Sequence, residues 1–142
     1  MRILLLAPIV VLVSALGAVP ASADPGAAGS TEAAYAPPFV AHTEWVPWGR
    51  ASSLRVYPTP SGRVASRTGN GQEMNEAWTE VLSLSPDADS PGMRAQFACH
   101  WQFAETVQPG KTSWNLEPWR PVVDDSEMVA SGCNPGGAEE PF

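Results

Sequence analysis

Glu105, Glu117, Asp124 and Asp125 stand close in sequence to aromatic residues. Glycoside hydrolysis needs two carboxylates facing each other across a cleft, one of them with a raised pKa. Glu117 with Asp124 or Asp125 is therefore the hydrolytic alternative offered by the sequence, although a chain with 15 acidic residues would supply such neighbours without any active site. A Ser/His/Asp set would have to use His42 or His100, and no Gly-x-Ser-x-Gly elbow accompanies either. Asp87-Ala88-Asp89-Ser90-Pro91-Gly92 begins like a calcium loop, but Pro91 takes its fifth position and Ala98 the twelfth, where a bidentate Glu is required. Helix capping explains that string better. There is no Cys-x-x-Cys, no metal-ligand spacing of the histidines, no P-loop and no dinucleotide fingerprint. The sequence thus assigns no catalytic residue, no metal and no cofactor.

Aromatic residues point elsewhere, because the chain carries 6 tryptophans. Trp114 and Trp119 flank Asn115-Leu116-Glu117-Pro118 between Pro109 and Pro121, and Trp45 and Trp48 lie around Pro47. Rings in proline-stiffened loops offer contact area at low entropic cost, which suits a sugar or a partner surface. Trp114 and Trp119 are accordingly expected as partly exposed, ligand-facing rings. Glu117 and Arg120 complete this candidate binding site, with Arg120 stacking on Trp119 or pairing with Glu117. The plainer reading makes these rings covers of a small core. Trp78 and Trp101 fall on apolar helical faces and are expected in the core.

The elements that position these residues follow from patterning. Leu54-Arg55-Val56-Tyr57 alternates, Pro58-Thr59-Pro60-Ser61-Gly62 is dense in turn residues, and Arg63-Val64-Ala65-Ser66 resumes, so a β-hairpin is expected over 54–66. Asn70 followed by Glu73 resembles a capping box, and Met74, Ala77, Trp78, Val81 and Leu82 share one face of a helix over 72–84. Asp89-Ser90-Pro91 starts another helix. The stretch 97–104 fits either a helical face or strand alternation, and the cap favours helix. The segment 114–121 reads as an irregular loop. Asp124-Asp125-Ser126-Glu127 opens a short third helix ended by Gly132.

Met1-Arg2, an apolar stretch over 3–19 and Ala21-Ser22-Ala23 make residues 1–23 a secretory signal peptide, cut before Asp24. A membrane anchor would need roughly 20 unbroken apolar residues, whereas Pro8 and Ser14 interrupt this run and Asp24 follows it. Residues 24–39 form a flexible Ala/Gly/Pro-rich leader, 40–137 one folded domain and 138–142 an acidic tail. An exported chain meets an oxidising compartment, so Cys99 and Cys133, the only cysteines, are expected as a disulfide. A net charge of -7 and a pI near 4.6 exclude nucleic-acid binding through clustered cations and disfavour adsorption to anionic lipid. No membrane insertion is expected after signal cleavage.

Three strings taken together, Pro91-Gly92-Met93-Arg94-Ala95-Gln96-Phe97-Ala98-Cys99-His100, Trp114-Asn115-Leu116-Glu117-Pro118-Trp119-Arg120-Pro121 and Gly132-Cys133-Asn134-Pro135-Gly136, give the chain its likeness to a known family. Over 54–137 it resembles the secreted actinobacterial family known as domain of unknown function 2599. The resemblance implies an exported one-disulfide domain and transfers no activity, cofactor or catalytic residue. The expectation is a small α+β domain with a hairpin, two or three short helices and one disulfide. Its expected role is that of an exported, non-catalytic binding or interaction module of the cell envelope or medium. The expected partners are an envelope protein or cell-wall carbohydrate, and a small secreted hydrolase is the alternative.

Overall fold

Val40–Trp48 (β1) and Ala51–Pro58 (β2) pair antiparallel in the computed structural model, which describes residues 36–68 and 70–138. Gly49 takes φ +60° at the first position of the two-residue connection, a conformation that a primed hairpin turn requires and glycine adopts freely. Trp45 lies opposite Leu54 and Trp48 opposite Ala51. Trp114–Leu116 (β3) joins the other side of β2, with Leu54 opposite Leu116 and Val56 opposite Trp114, so the sheet order is β1-β2-β3.

The hairpin is therefore not the one expected over 54–66. Residues 54–57 are a strand, but their hairpin partner lies upstream, and 63–66 belong to the helix Pro60–Thr68 (α1). Thr59 caps that helix, its Oγ1 accepting from the Gly62 amide at 2.9 Å, and Pro60 has the fixed φ of a first helical position. Turn-forming residues here start a helix instead of reversing a strand. Gly62 also meets the Phe39 carbonyl so closely that any Cβ would collide with it. Phe39 is buried, which moves the start of the folded body into the stretch expected to be leader.

The remaining helices follow the capping signals. Gly71–Leu84 (α2) begins at Asn70, whose side chain accepts from the Gln72 amide at 2.9 Å, and buries Ala77, Trp78 and Val81. After a 3-10 turn at Pro86–Ala88, Pro91–Val107 (α3) starts at Ser90, which accepts from the Met93 amide at 3.2 Å. Residues 97–104 are helical, and Met93, Phe97, His100, Trp101 and Ala104 form the buried face. Asp125–Ala130 (α4) is capped by Asp124.

One sheet face, formed by Leu54, Val56, Trp114 and Leu116, packs against α1, α2 and α3 in a core dominated by rings. Phe97 stands at 5.4 Å from Trp78 and 6.1 Å from both Trp101 and Trp114, while Trp101 meets Trp114 edge-on at 6.0 Å. Such pairs add to the burial gain of each ring. The Cys99–Cys133 disulfide forms, with Cα atoms 5.6 Å apart, and joins α3 to the turn after α4. On the side of β3 away from β2, the Gln96 carboxamide accepts from the Glu117 amide at 2.8 Å and donates to the Glu117 carbonyl at 3.0 Å. His100 Nε2, one turn further along α3, donates to the Asn115 carbonyl at 3.0 Å. Among the described residues no helix is long and apolar enough to cross a membrane.

Candidate functional site

The expected site residues separate into an outer ring and an inner knot. Trp114 is a strand residue with no exposed surface, which corrects its expected role as a ligand-facing ring. The prolines that suggested an irregular loop, Pro109, Pro118 and Pro121, all lie outside 114–116 and leave those three residues free to pair with β2. Strand geometry then turns the Trp114 ring to the same face as Leu54 and Val56.

Glu117 and Arg120 are also sealed, and neither side chain has exposed surface. Arg120 Nε donates to Glu117 Oε2 at 2.6 Å, and Ser53 Oγ donates to Glu117 Oε1 at 2.8 Å. Arg120 Nη1 donates to the carbonyls of Pro135 at 3.2 Å and Gly137 at 2.7 Å, and Nη2 to that of Ala138 at 3.3 Å. Removing two charges from water is costly unless their hydrogen-bonding capacity is met, and here it is met by sheet, loop and the segment 135–138 together. The pair fixes the backbone around Trp119.

Trp119 stays at the surface, 40% exposed. Half-buried Trp48, at the end of β1, supports it with ring centroids 4.9 Å apart at 51°. The Arg120 guanidinium carbon lies 4.5 Å from the Trp119 ring centre and 5.9 Å from that of Trp48. The result is a ledge whose ring orientation is set by a cation held in a buried network. Trp45 is 37% exposed and, with Ser52 and Asp87, lines a shallow depression of about 320 Å3.

The carboxylates of the hydrolytic alternative do not form a catalytic pair. Both Glu117 oxygens are bonded inside the protein, whereas Asp124 and Asp125 are exposed at the start of α4. Asp124 Oδ1 accepts from the Glu127 amide at 2.9 Å and the Ser126 hydroxyl at 2.8 Å, which holds its carboxyl below the usual range. Glu105 is buried against Arg63 and accepts from the Gly110 amide at 3.3 Å. His42 stacks on Tyr57 at the surface, with centroids 4.0 Å apart. His100 is buried, and desolvation together with the nearby charge of Lys111 lowers its pKa to about 3, so it is a neutral imidazole at ordinary pH. Among the described residues no three His, Cys, Asp or Glu side chains gather into a metal-ligand group.

A second feature was not legible from motifs. The C-terminal half of α3 and the turn after α4 enclose a cavity of about 280 Å3, lined by the disulfide, Phe103, Val107, Lys111 and Val129. Its lining residues come from segments up to 34 positions apart and share no pattern.

The fold and its buried arginine network describe a small one-disulfide α+β domain with an aromatic ledge at Trp48 and Trp119. The chain belongs to the family described as Protein of unknown function (DUF2599), whose model matches residues 40–136. It is 58% identical to uncharacterized proteins of Mycobacterium tuberculosis (Rv0477) and Mycobacterium bovis (Mb0487), over 148 aligned residues covering all of each chain. An uncharacterized protein of Mycobacterium leprae (ML2452) is 55% identical over 105 residues, covering 74% of this chain and 85% of that one. No solved structure gives a significant match.

Proposed function

We propose that the protein is an exported, non-catalytic binding module of the cell envelope or medium, and that the Trp119 ledge takes cell-wall carbohydrate. The observation that carries this reading is a large ring, 40% exposed, whose orientation is fixed by a buried guanidinium. A sugar ring presents an apolar C–H face that stacks on such a surface, and a ledge ordered in advance loses little entropy on binding. Trp48 extends the apolar area, and the polar turn beside it, Gly49-Arg50, supplies groups for sugar hydroxyls. The disulfide is compatible with an oxidising compartment outside the cell. Under this reading, residues 1–23, which lie outside the described residues, are removed on export.

Two measurements test it. Retention of the purified protein on isolated cell-wall polysaccharide should be lost in Trp119→Ala while its thermal midpoint stays near that of the parent. Equal retention by the variant overturns the ledge as the binding surface, and retention only on envelope protein overturns carbohydrate as the ligand. Mass analysis of the culture supernatant should show a chain beginning at Asp24, and an intact Met1 terminus confined to a membrane pellet would overturn export.

A further inference from the structure

We propose that β1 is a self-association edge, at which two copies of this chain pair their β1 strands antiparallel about Thr43 and join their three-stranded sheets into one. This surface is independent of the Trp119 ledge.

The open main-chain groups of β1 follow from the hairpin. Among the described residues no strand pairs with the side of β1 away from β2. Trp48 and Ala51 close a two-residue hairpin and so form a hydrogen-bonded pair, and such pairs alternate with non-hydrogen-bonded ones along an antiparallel ladder. His42, Glu44 and Val46 therefore turn their main-chain groups toward β2, whereas Thr43, Trp45 and Pro47 turn theirs outward. Pro47 fits this parity, since it has no N–H to give the ladder. At the start of the strand the amides of Phe39 and Val40 already donate to Glu80 Oε2, each at 2.7 Å. The stretch left open to a partner is 41–47.

One symmetric register suits that stretch. With the two-fold axis at Trp45 or beyond, the partner's Pro47 falls where a main-chain N–H is required. With the axis at His42 or before, the partner's Phe39 must supply an amide that Glu80 already holds. With the axis at Glu44, two carboxylates face each other directly. With the axis at Thr43, the two Thr43 residues exchange both main-chain bonds, and His42 stands opposite the partner's Glu44 on either side. An imidazole N–H meets a carboxylate there twice, between residues that are exposed in the single copy.

The apolar surface matches the same register. Trp45 lies opposite Leu54, so it shares the helix-bearing face of the sheet, and it is 37% exposed. The Thr43 hydroxyl is on that face too, bonded to Ser85 at 2.9 Å. With Thr43 on the axis, Trp45 falls beside the partner's Ala41, next to an open groove of about 420 Å3 lined by Pro37, Pro38, Val40, Glu80, Ser83 and Leu84. Leu84 is itself 49% exposed at the end of α2. Each copy thus offers one ring and one groove, and two-fold symmetry brings each ring to the other copy's groove.

Sedimentation velocity of the purified protein, from micromolar to near-millimolar concentration, tests the proposal. The mass should rise with concentration toward that of two copies. The amides of Thr43 and Trp45 should exchange freely in dilute solution and become protected in concentrated solution, whereas those of Glu44 and Val46 should be protected in both. His42→Glu sets a carboxylate against the partner's Glu44 twice and should weaken association about tenfold. Adding Glu44→His exchanges the two residues, restores the pair and should recover most of that loss. Leu84→Lys, at an exposed position, should weaken association without lowering the thermal midpoint, and Trp119→Ala should leave association unchanged. The mass of one copy at every concentration overturns the proposal. Association that leaves the Thr43 and Trp45 amides unprotected overturns the edge, and a double variant as weak as His42→Glu alone overturns the register. The amide measurement uses the parent chain, so it decides the edge even where a variant fails to fold.

Discussion

Replacing Arg120 by methionine keeps the length and much of the apolar stem of the side chain but removes its charge and its four hydrogen bonds, to Glu117 Oε2 and the carbonyls of Pro135, Gly137 and Ala138. Glu117, with no exposed surface, then keeps only the Ser53 hydroxyl as a side-chain donor. Breaking a buried ion pair by deleting one partner costs about 3–5 kcal/mol, since the remaining charge is stranded. Against a total of about 5–15 kcal/mol this removes a large share of the domain's stability. At about 4–8 °C per kcal/mol for a domain of this size, the thermal midpoint should fall by more than about 12 °C. Adding Glu117→Gln removes the stranded charge, so the double variant should be less unstable than the sum of the singles by about 1–3 kcal/mol. Urea titration followed by tryptophan fluorescence, with circular dichroism for the thermal midpoint, measures both. A loss below about 1 kcal/mol for Arg120→Met, the range of exposed pairs, would refute the buried network as the support of the ledge.

Trp114→Ala should cost about 3–5 kcal/mol, as for a core ring, whereas Trp119→Ala should stay within about 1 kcal/mol; denaturant midpoints of the two variants beside Trp78→Ala check this. His100 has a folded pKa of about 3 against an ordinary 6.5, so as pH falls through this window the unfolded chain takes up a proton that the folded chain refuses. Stability should then drop by up to about 1.4 kcal/mol per pH unit, and His100→Gln should show a shallower loss between about pH 6.5 and 4.5; parallel slopes for parent and variant would contradict it. Cys133→Ser should lower stability by between about 3 and 4.7 kcal/mol, the range for loops that bracket the 34-residue separation, and non-reducing peptide mapping of the parent should link Cys99 to Cys133.

Helices with local stop and start signals were legible in the sequence: Asn70, Ser90 and Asp124 all cap where their side chains suggest, and the apolar period behind each puts Trp78, Trp101 and Met128 inside. The disulfide and the α+β class were legible too. Strand pairing was not, because it depends on partners distant in sequence. Residues 40–48 carry Pro47 and a mostly exposed pattern, so they lack the alternation that marks a half-buried strand, and only pairing with 51–58 makes them one. Thr59-Pro60 serves a turn and a helix start equally well, and tertiary contact of Gly62 with Phe39 accompanies the helix. At the candidate site the same limit separates Trp114 from Trp119. Both stand between Pro109 and Pro121, but the register of 114–116 against β2 carries the first inward and leaves the second on the loop beyond.

Gln96 and His100 give the outer side of β3 a consequence beyond packing. By bonding the main-chain groups of Glu117 and Asn115, they occupy the positions that a fourth strand would need. An open strand edge invites extended peptides and sister molecules to pair with it, which is how many domains capture ligands and also how fibrils are seeded. Here the invitation is withdrawn by two side chains one helical turn apart. A neighbour can dock there only after α3 lifts away, taking with it Phe97, Trp101 and the disulfide-bonded Cys99. Crowded molecules of this protein should therefore remain separate at that edge, which leaves β1 as the sheet's other edge strand.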